Sequence, residues 1–127
     1  MRIALDTNTY TDAAQGERKA VDVLQSADEI CIPFVVIAEL RAGFALGTKG
    51  KKNEAKLTEF LNTPRVKVLY PDEQTTHHYA RVFSNLKKQR TPIPTHDIWI
   101  AAMTLQYDLV LFSRDAHFAG IPQLVRI

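Results

Sequence analysis

Cysteine is nearly missing from this chain: Cys31 is the only one in 127 residues, which excludes an internal disulfide. Its neighbours Ile30, Ile32 and Phe34 mark it as a small buried apolar residue. Long apolar runs are missing too. The longest stretches without Asp, Glu, Lys or Arg, Ile98 to Tyr107 and Ala116 to Val125, have ten residues each, against roughly 20 for a spanning helix. No basic head followed by an apolar core and a small-residue cleavage site opens the chain, so nothing marks it for export. The expectation is a soluble, cytoplasmic protein with no membrane partner. There is no internal repeat and no low-complexity segment. Zinc-type ligand spacing is absent as well: His77 and His78 are adjacent and diverge on a helix, while His96 and His117 form no paired spacing with Cys31.

What the chain does have is enough apolar content, 46% hydrophobic, for one compact domain over residues 1–127 that buries about two-thirds of its unfolded surface. Charge is uneven beneath a net +2. Arg41 to Arg90 holds eleven Lys/Arg against four Asp/Glu, or +7, and the remainder five against ten, or −5. A basic middle beside an acid-rich remainder suits a protein that brings metal-binding acids up to a polyanion such as nucleic acid. Each single lysine there also reads as an ordinary solvated position on a helix face.

Hydrophobic spacing predicts alternating strands and helices. Arg2 to Leu5 is a strand, and Asp6-Thr7-Asn8-Thr9 follows as a turn or cap opening a helix. Glu17 to Ala27 is helical, Glu29 to Pro33 a brief buried strand, and a further helix starts at once with Pro33 in its first turn. Ile37, Leu40, Arg41 and Phe44 form its stripe, and Gly47 with Gly50 ends it. Lys51 to Leu61 is an amphipathic surface helix stopped by Pro64. Val66 to Leu69 is a strand, and Asp72 to Arg90 a long helix with an acidic start and a basic finish. Pro92 and Pro94 break it. A helix from about Asp97 to Tyr107, a strand at Leu109 to Phe112 and a last strand at Gln123 to Ile127 complete the order. Such alternation implies an α/β three-layer sandwich: a parallel sheet of roughly five strands, right-handed crossovers and helices on both faces. Ligands of such sheets collect outside the carboxyl ends of the strands.

Four acids sit at junctions of this pattern. Asp6 follows the first strand and reads either as a helix cap or as a site acid. Glu39 follows nine uncharged residues, Ile30 to Ala38, where an unpaired buried carboxylate would cost several kcal/mol. A metal-bound water or an exposed position on the helix would relieve it, and Arg41, two residues on, faces elsewhere. Asp97 reads as an N-cap or first-turn acid of its helix. Asp115 lies just past the last strong strand and could begin a final turn with Phe118 beneath it. Predicted topology brings Asp6 and Asp115 to one sheet edge, and converging carboxylates repel unless a cation lies between them. Hard oxygen ligands select Mg²⁺ or Mn²⁺. His96 and His117, beside Asp97 and Asp115, could tune the site and otherwise read as polar rim residues.

Leu5-Asp6-Thr7-Asn8, Ile37-Ala38-Glu39-Leu40 with Gly43, Asp97-Ile98-Trp99-Ile100-Ala101-Ala102 and Leu111-Phe112-Ser113-Arg114-Asp115-Ala116-His117-Phe118, in this order, resemble the PIN-domain ribonucleases, and more narrowly the VapC-type toxins of toxin–antitoxin pairs. The resemblance implies an acid pocket holding one or two Mg²⁺ or Mn²⁺ ions: Asp6 and Asp97 as main ligands, Asp115 as a further or water-mediated ligand, Glu39 as a supporting acid, and Asn8 and Ser113 orienting them. It also implies RNA hydrolysis leaving 5′-phosphate and 3′-hydroxyl ends, a cognate antitoxin entering a groove near the site, and homodimers. Ser113 stands where threonine is commoner, and His117 where an acid or polar residue is often found. Arg41, Lys49, Lys51, Lys52, Lys87, Lys88 and Arg90 are candidates for the RNA backbone; Val21, Leu24, Phe34 and Phe44 are candidates for apolar anchors. Two other readings compete: a catalytically dead PIN scaffold, against which the four acids speak, and a phospho-receiver domain, which needs a lysine after the last strong strand, whereas none follows Lys88.

Overall fold

The computed structural model describes every residue, Met1–Ile127. In chain order the elements are β1 (Arg2–Leu5), α1 (Thr7–Ala14), α2 (Arg18–Ser26), β2 (Glu29–Pro33), α3 (Phe34–Leu46), α4 (Gly50–Leu61), β3 (Val66–Leu69), α5 (Glu73–Gln89), α6 (Thr95–Gln106), β4 (Val110–Phe112), a 3₁₀ turn (Ala116–Gly120) and β5 (Val125–Arg126). All strand pairings are parallel, in the order β3-β2-β1-β4-β5.

Successive residues of a strand point to opposite faces. In β1, Ile3, Ala4 and Leu5 are all 0% exposed, so both faces of the sheet centre are covered, as the βαβ pattern requires. The chain builds β1, β2 and β3 outward in one direction, then returns through α5 and α6 to lay β4 on the other side of β1. With right-handed crossovers that reversal sends α5 and α6, which pack on each other, to the face opposite the earlier helices. It also creates a switch point between β1 and β4, where ligands of such sheets bind. Leu5 pairs in register with Phe112, so the residues that follow them, Asp6 and Ser113, emerge side by side.

Local chemistry explains where helices start. Glu17 accepts hydrogen bonds from the amides of Lys19 (3.1 Å) and Ala20 (2.8 Å), capping α2. Asp72 and Thr75 form a capping box on α5, and this box is tied to the end of α6. The Thr75 hydroxyl donates to Gln106 Oε1 at 2.6 Å and accepts from the Asp72 amide at 2.9 Å, while Gln106 Nε2 donates to Asp72 Oδ1 at 2.8 Å.

Several expected boundaries move. Pro33 is the last residue of β2 and the N-cap of α3 rather than a first-turn residue. Its ψ of 142° is extended, so the missing N–H falls where the strand hands over to the helix. Gly50 opens α4 instead of closing α3. A Cβ there would lie 2.9 Å from the Phe44 carbonyl oxygen, so the tight α3–α4 turn requires glycine. Helix α6 begins at Thr95, with Pro94 as its N-cap; Asp97 is therefore its third residue and not the cap. The final strand is only Val125–Arg126. Within the α3 stripe, Ile37 and Leu40 are buried whereas Arg41 is exposed and paired with Glu54 at 2.8 Å. No helix is long and apolar enough to cross a membrane.

Candidate functional site

The site assembles at the carboxyl edge of β1 and β4. Asp6 leaves β1 and caps α1, its Oδ1 accepting from the Thr9 amide at 2.9 Å. Its other oxygen, Oδ2, accepts from the Ser113 hydroxyl, and Ser113 Oγ accepts in turn from the Asp115 amide at 3.0 Å. Ser113, 6% exposed, thus fastens the acid after β1 to the backbone of the acid after β4. Thr9 closes the same seam from below: its hydroxyl donates to the Phe112 carbonyl at 3.0 Å, and the residue is 2% exposed.

Asp115 caps the 3₁₀ turn by accepting from the His117 amide at 2.9 Å. That turn is anchored by Phe118, 0% exposed. Asp97, on the first turn of α6 and 5% exposed, faces the same space. His117 Nδ1 lies 2.7 Å from Asp97 Oδ2 and 3.2 Å from Asp115 Oδ1. One ligand atom from each of Asp97, Asp115 and His117 can be chosen so that all lie within 4.8 Å of one another. Glu39 comes in from α3: Thr7 Oγ1 donates to its Oε1 at 2.9 Å, and His96 Nε2 lies 3.4 Å from both Glu39 Oε2 and Asp97 Oδ1.

Asp97, Asp115 and His117 therefore converge directly, Asp6 is joined to them through Ser113, and Glu39 through Thr7 and His96. Asn8 behaves differently. It is exposed on α1 and its side chain bonds to none of the acids; once Asp6 is the cap, positions 7 and 9 face the sheet edge and position 8 does not. Thr7 and Thr9 are the residues that sequence reasoning passed over, although the threonines flanking Asn8 were the available signal. His96 and His117 have half-exposed side chains, 44% and 46%, as rim residues would, yet each touches two carboxylates.

Electrostatics at the edge follow from this crowding. Burial pushes the Asp97 carboxyl above its ordinary value; the hydrogen bond from His117 and the charge of His96 pull the other way, and the charge of Asp115 adds to the rise. Arg114 lies at the rim, its Nε 2.8 Å from Asp12 Oδ2. That pair pushes the Arg114 guanidinium up and holds the Asp12 carboxyl down, with Asp6 and Asp115 contributing to the former. Carboxylate oxygens of the buried Asp97 and the half-buried Asp115 near an imidazole nitrogen are a donor set that fits a divalent cation.

Two further surfaces bear on function. Between α1, α2 and α4 lies a groove of about 430 Å³ lined by Tyr10, Val21, Leu24 and Phe60, with Lys56, Glu59 and Arg65 among its polar residues. Tyr10 meets Phe60 edge to face at 5.2 Å. Arg65 donates to the carbonyls of Leu24 and Ala27, at 2.6 Å each. Of the candidate anchors, Val21 and Leu24 line this groove, Phe44 lines a neighbouring cavity between α3 and α4, and Phe34 is exposed. Among the basic candidates, Arg41 is paired with Glu54 and the Lys87 ammonium lies 5.9 Å from the centre of the Phe83 ring. Lys49, Lys51, Lys52, Lys88 and Arg90 are exposed.

The family model described as PIN domain matches residues 3–124. Ribonuclease VapC1 of Haemophilus influenzae strain R2866 is 36% identical over 115 residues, covering 87% of this chain and 84% of that protein. Toxin FitB of Neisseria gonorrhoeae is 31% identical over 121 residues, 89% of this chain and 87% of its own. The solved structure of VapBC-1 from nontypeable Haemophilus influenzae superposes with a TM-score of 0.85 at 30% identity, over 100% of this chain and 97% of that one.

Proposed function

The chain belongs to the PIN-domain family, and on that footing we propose that it is a metal-dependent endoribonuclease of the VapC kind, the toxin of a toxin–antitoxin pair. The observation that carries the reading is the seam of hydrogen bonds by which Ser113 joins Asp6 to Asp115 beside the buried Asp97. A fold does not need to gather like charges at one edge; a nuclease does.

In this reading Asp6, Asp97 and Asp115 hold Mg²⁺ or Mn²⁺, and Glu39 supports the site through Thr7 and His96. A cation bound there supplies charge that favours ionisation of the attacking water and offsets the negative charge gathering on the phosphoryl oxygens during in-line attack. The protein's own part is positional. Asp6 and Asp115 are both caps, and the Ser113 hydroxyl ties the Asp6 carboxylate to the Asp115 backbone amide, so their oxygens are held in place before substrate arrives. Ser113 occupies one lone pair of Asp6 and leaves others directed at the edge. No nucleophilic side chain is required. Exposed Lys51, Lys52 and Lys88 are available to the RNA backbone, while Arg41 is already engaged by Glu54.

A toxin of this kind is held in check by a cognate antitoxin, and the α1–α2–α4 groove is where we place its docking: an apolar floor with an Arg, a Lys and a Glu among its lining suits an amphipathic segment. Self-pairing, also implied by the resemblance, we place on the aromatic edge of α5, where Phe83 is 47% exposed beside Tyr79. A single cysteine and the absence of a spanning helix fit a cytoplasmic location.

Purified protein should cleave RNA with Mg²⁺ or Mn²⁺ and stop on addition of EDTA. Asp6→Asn and Asp97→Asn should abolish cleavage while circular dichroism stays native. Induced expression in a bacterial host should arrest growth, and arrest that persists in Asp6→Asn would remove catalysis from the account. Cleavage without growth arrest would instead favour a housekeeping nuclease of the same family.

A further inference from the structure

Two imidazole nitrogens stand beside Asp97, His96 Nε2 at 3.4 Å and His117 Nδ1 at 2.7 Å, and only His117 also meets Asp115. The backbone that carries the His117 imidazole is held by packing. Asp115 accepts from the His117 amide at 2.9 Å, and the next residue, Phe118, is 0% exposed. The turn therefore cannot shift the His117 backbone without unseating a buried ring. Nδ1 faces Asp97 Oδ2 at 2.7 Å and Asp115 Oδ1 at 3.2 Å.

These separations can be compared with a coordination shell. At metal–oxygen lengths of about 2.1 Å, two neighbouring ligand atoms of an octahedral ion lie about 3.0 Å apart. The two nitrogen–oxygen separations of His117 bracket that spacing, and the shorter one is a hydrogen bond whose place, and any Nδ1 proton, a cation would take on binding. His96 does not share this property: the mutually close group of donors comprises Asp97, Asp115 and His117 and leaves out His96 and Glu39. An oxygen-only pocket suits Mg²⁺, which sheds its waters reluctantly and gains little from nitrogen. An imidazole nitrogen raises affinity along the first-row transition series, from Mn²⁺ upward.

Resting on the metal-centre reading above, we propose that His117 gives its Nδ1 to the cation held by Asp97 and Asp115, and so tilts the site away from Mg²⁺ and toward first-row transition ions, Mn²⁺ among them. His117 is then a specificity residue for the metal, reached through the same turn that Asp115 caps.

The test uses Mn²⁺ alone with the full chain, at about pH 8, above the ordinary imidazole range of about 6.5. Electron paramagnetic resonance of free Mn²⁺ gives the affinity, and electron spin echo modulation, with and without ¹⁵N-labelled histidine, reads a directly bound nitrogen. Wild type and His96→Gln should both show the nitrogen coupling. His117→Gln should lose it, with Mn²⁺ affinity down about tenfold or more and Mg²⁺ affinity, read by competition, down less. His117→Asp should reverse the preference by supplying a hard oxygen. Circular dichroism checks that each variant folds. Mn²⁺ bound to wild type without nitrogen coupling, or coupling that survives in His117→Gln, overturns the proposal and leaves the nuclease reading standing. Failure of wild type to bind Mn²⁺ at all would overturn both.

Discussion

Replacing Ser113 by alanine isolates the seam between the two halves of the site. The hydroxyl donates to Asp6 Oδ2 and accepts from the Asp115 amide at 3.0 Å, in a residue only 6% exposed. A hydrogen bond to a charged acceptor contributes about 1.5–3 kcal/mol, and an amide left without a partner costs about 1–3 kcal/mol when fully buried. Asp115 is partly exposed, with a side chain 26% accessible, so water recovers much of the second term. The net loss is about 2 kcal/mol. For a chain between the 100-residue and 150-residue classes, that lowers Tm by roughly 6–10 °C. Activity should fall for a separate reason: with its acids less firmly placed, the site needs about tenfold more Mn²⁺ to reach half-maximal cleavage. Differential scanning calorimetry of the metal-free protein and a fluorogenic RNA assay over a Mn²⁺ series measure the two effects independently. Ser113→Thr keeps the hydroxyl and should recover most of both. A lowered Tm with an unmoved metal requirement would show that Ser113 merely braces the loop, and no change in either would refute the reasoning.

Asp97 links stability to pH and metal. Its folded-state carboxyl titrates above the ordinary value, so the folded form holds that proton more tightly than the unfolded one. This contribution is full below the ordinary carboxylate range and is lost as pH rises through the shifted value. Metal-free protein should therefore show a stability loss across that window that Asp97→Asn removes, and Mn²⁺ should offset the loss once the carboxylate is ionised; thermal melts at stepped pH read both. Thr75→Val keeps the shape of a fully buried side chain but strands Gln106 Oε1. It should cost about 2 kcal/mol, visible as a lower urea midpoint with cleavage per folded molecule unchanged. Cys31, 1% exposed and pushed by burial up to about 12, should ignore a disulfide reagent at neutral pH in the native state and react at once in denaturant.

Strands and helices were legible because their signals are local. The caps at Glu17 and Asp72, the apolar run of β2 and the prolines after Arg90 act within a few residues, and each stands close to where spacing placed it. Boundaries shifted where tertiary geometry decided, as at Gly50, whose role follows from the approach of the Phe44 carbonyl. The site was legible in part for a different reason. Topology alone brings Asp6 and Asp115 to one edge, and burial logic singled out Glu39. What could not be read was the wiring between them. Thr7 meets Glu39 across 32 residues, and His117 reaches Asp97 across 20. No spacing rule reports such pairs, so Thr7 and Thr9 read only as cap residues, and the two histidines as rim residues that could at most tune the site. Asn8 owes its expected orienting role to the resemblance alone, and helix phase turns it outward.

Ser113 reaches back 107 residues to Asp6, and that distance along the chain sets a timetable. A ribosome synthesising this protein releases Asp6 long before Ser113 and Asp115 follow. Until β4 slots in beside β1, the early carboxylate has neither its hydroxyl partner nor its fellow ligands. A nascent chain in which β4 has not yet emerged should therefore be without cleavage activity toward the message being translated.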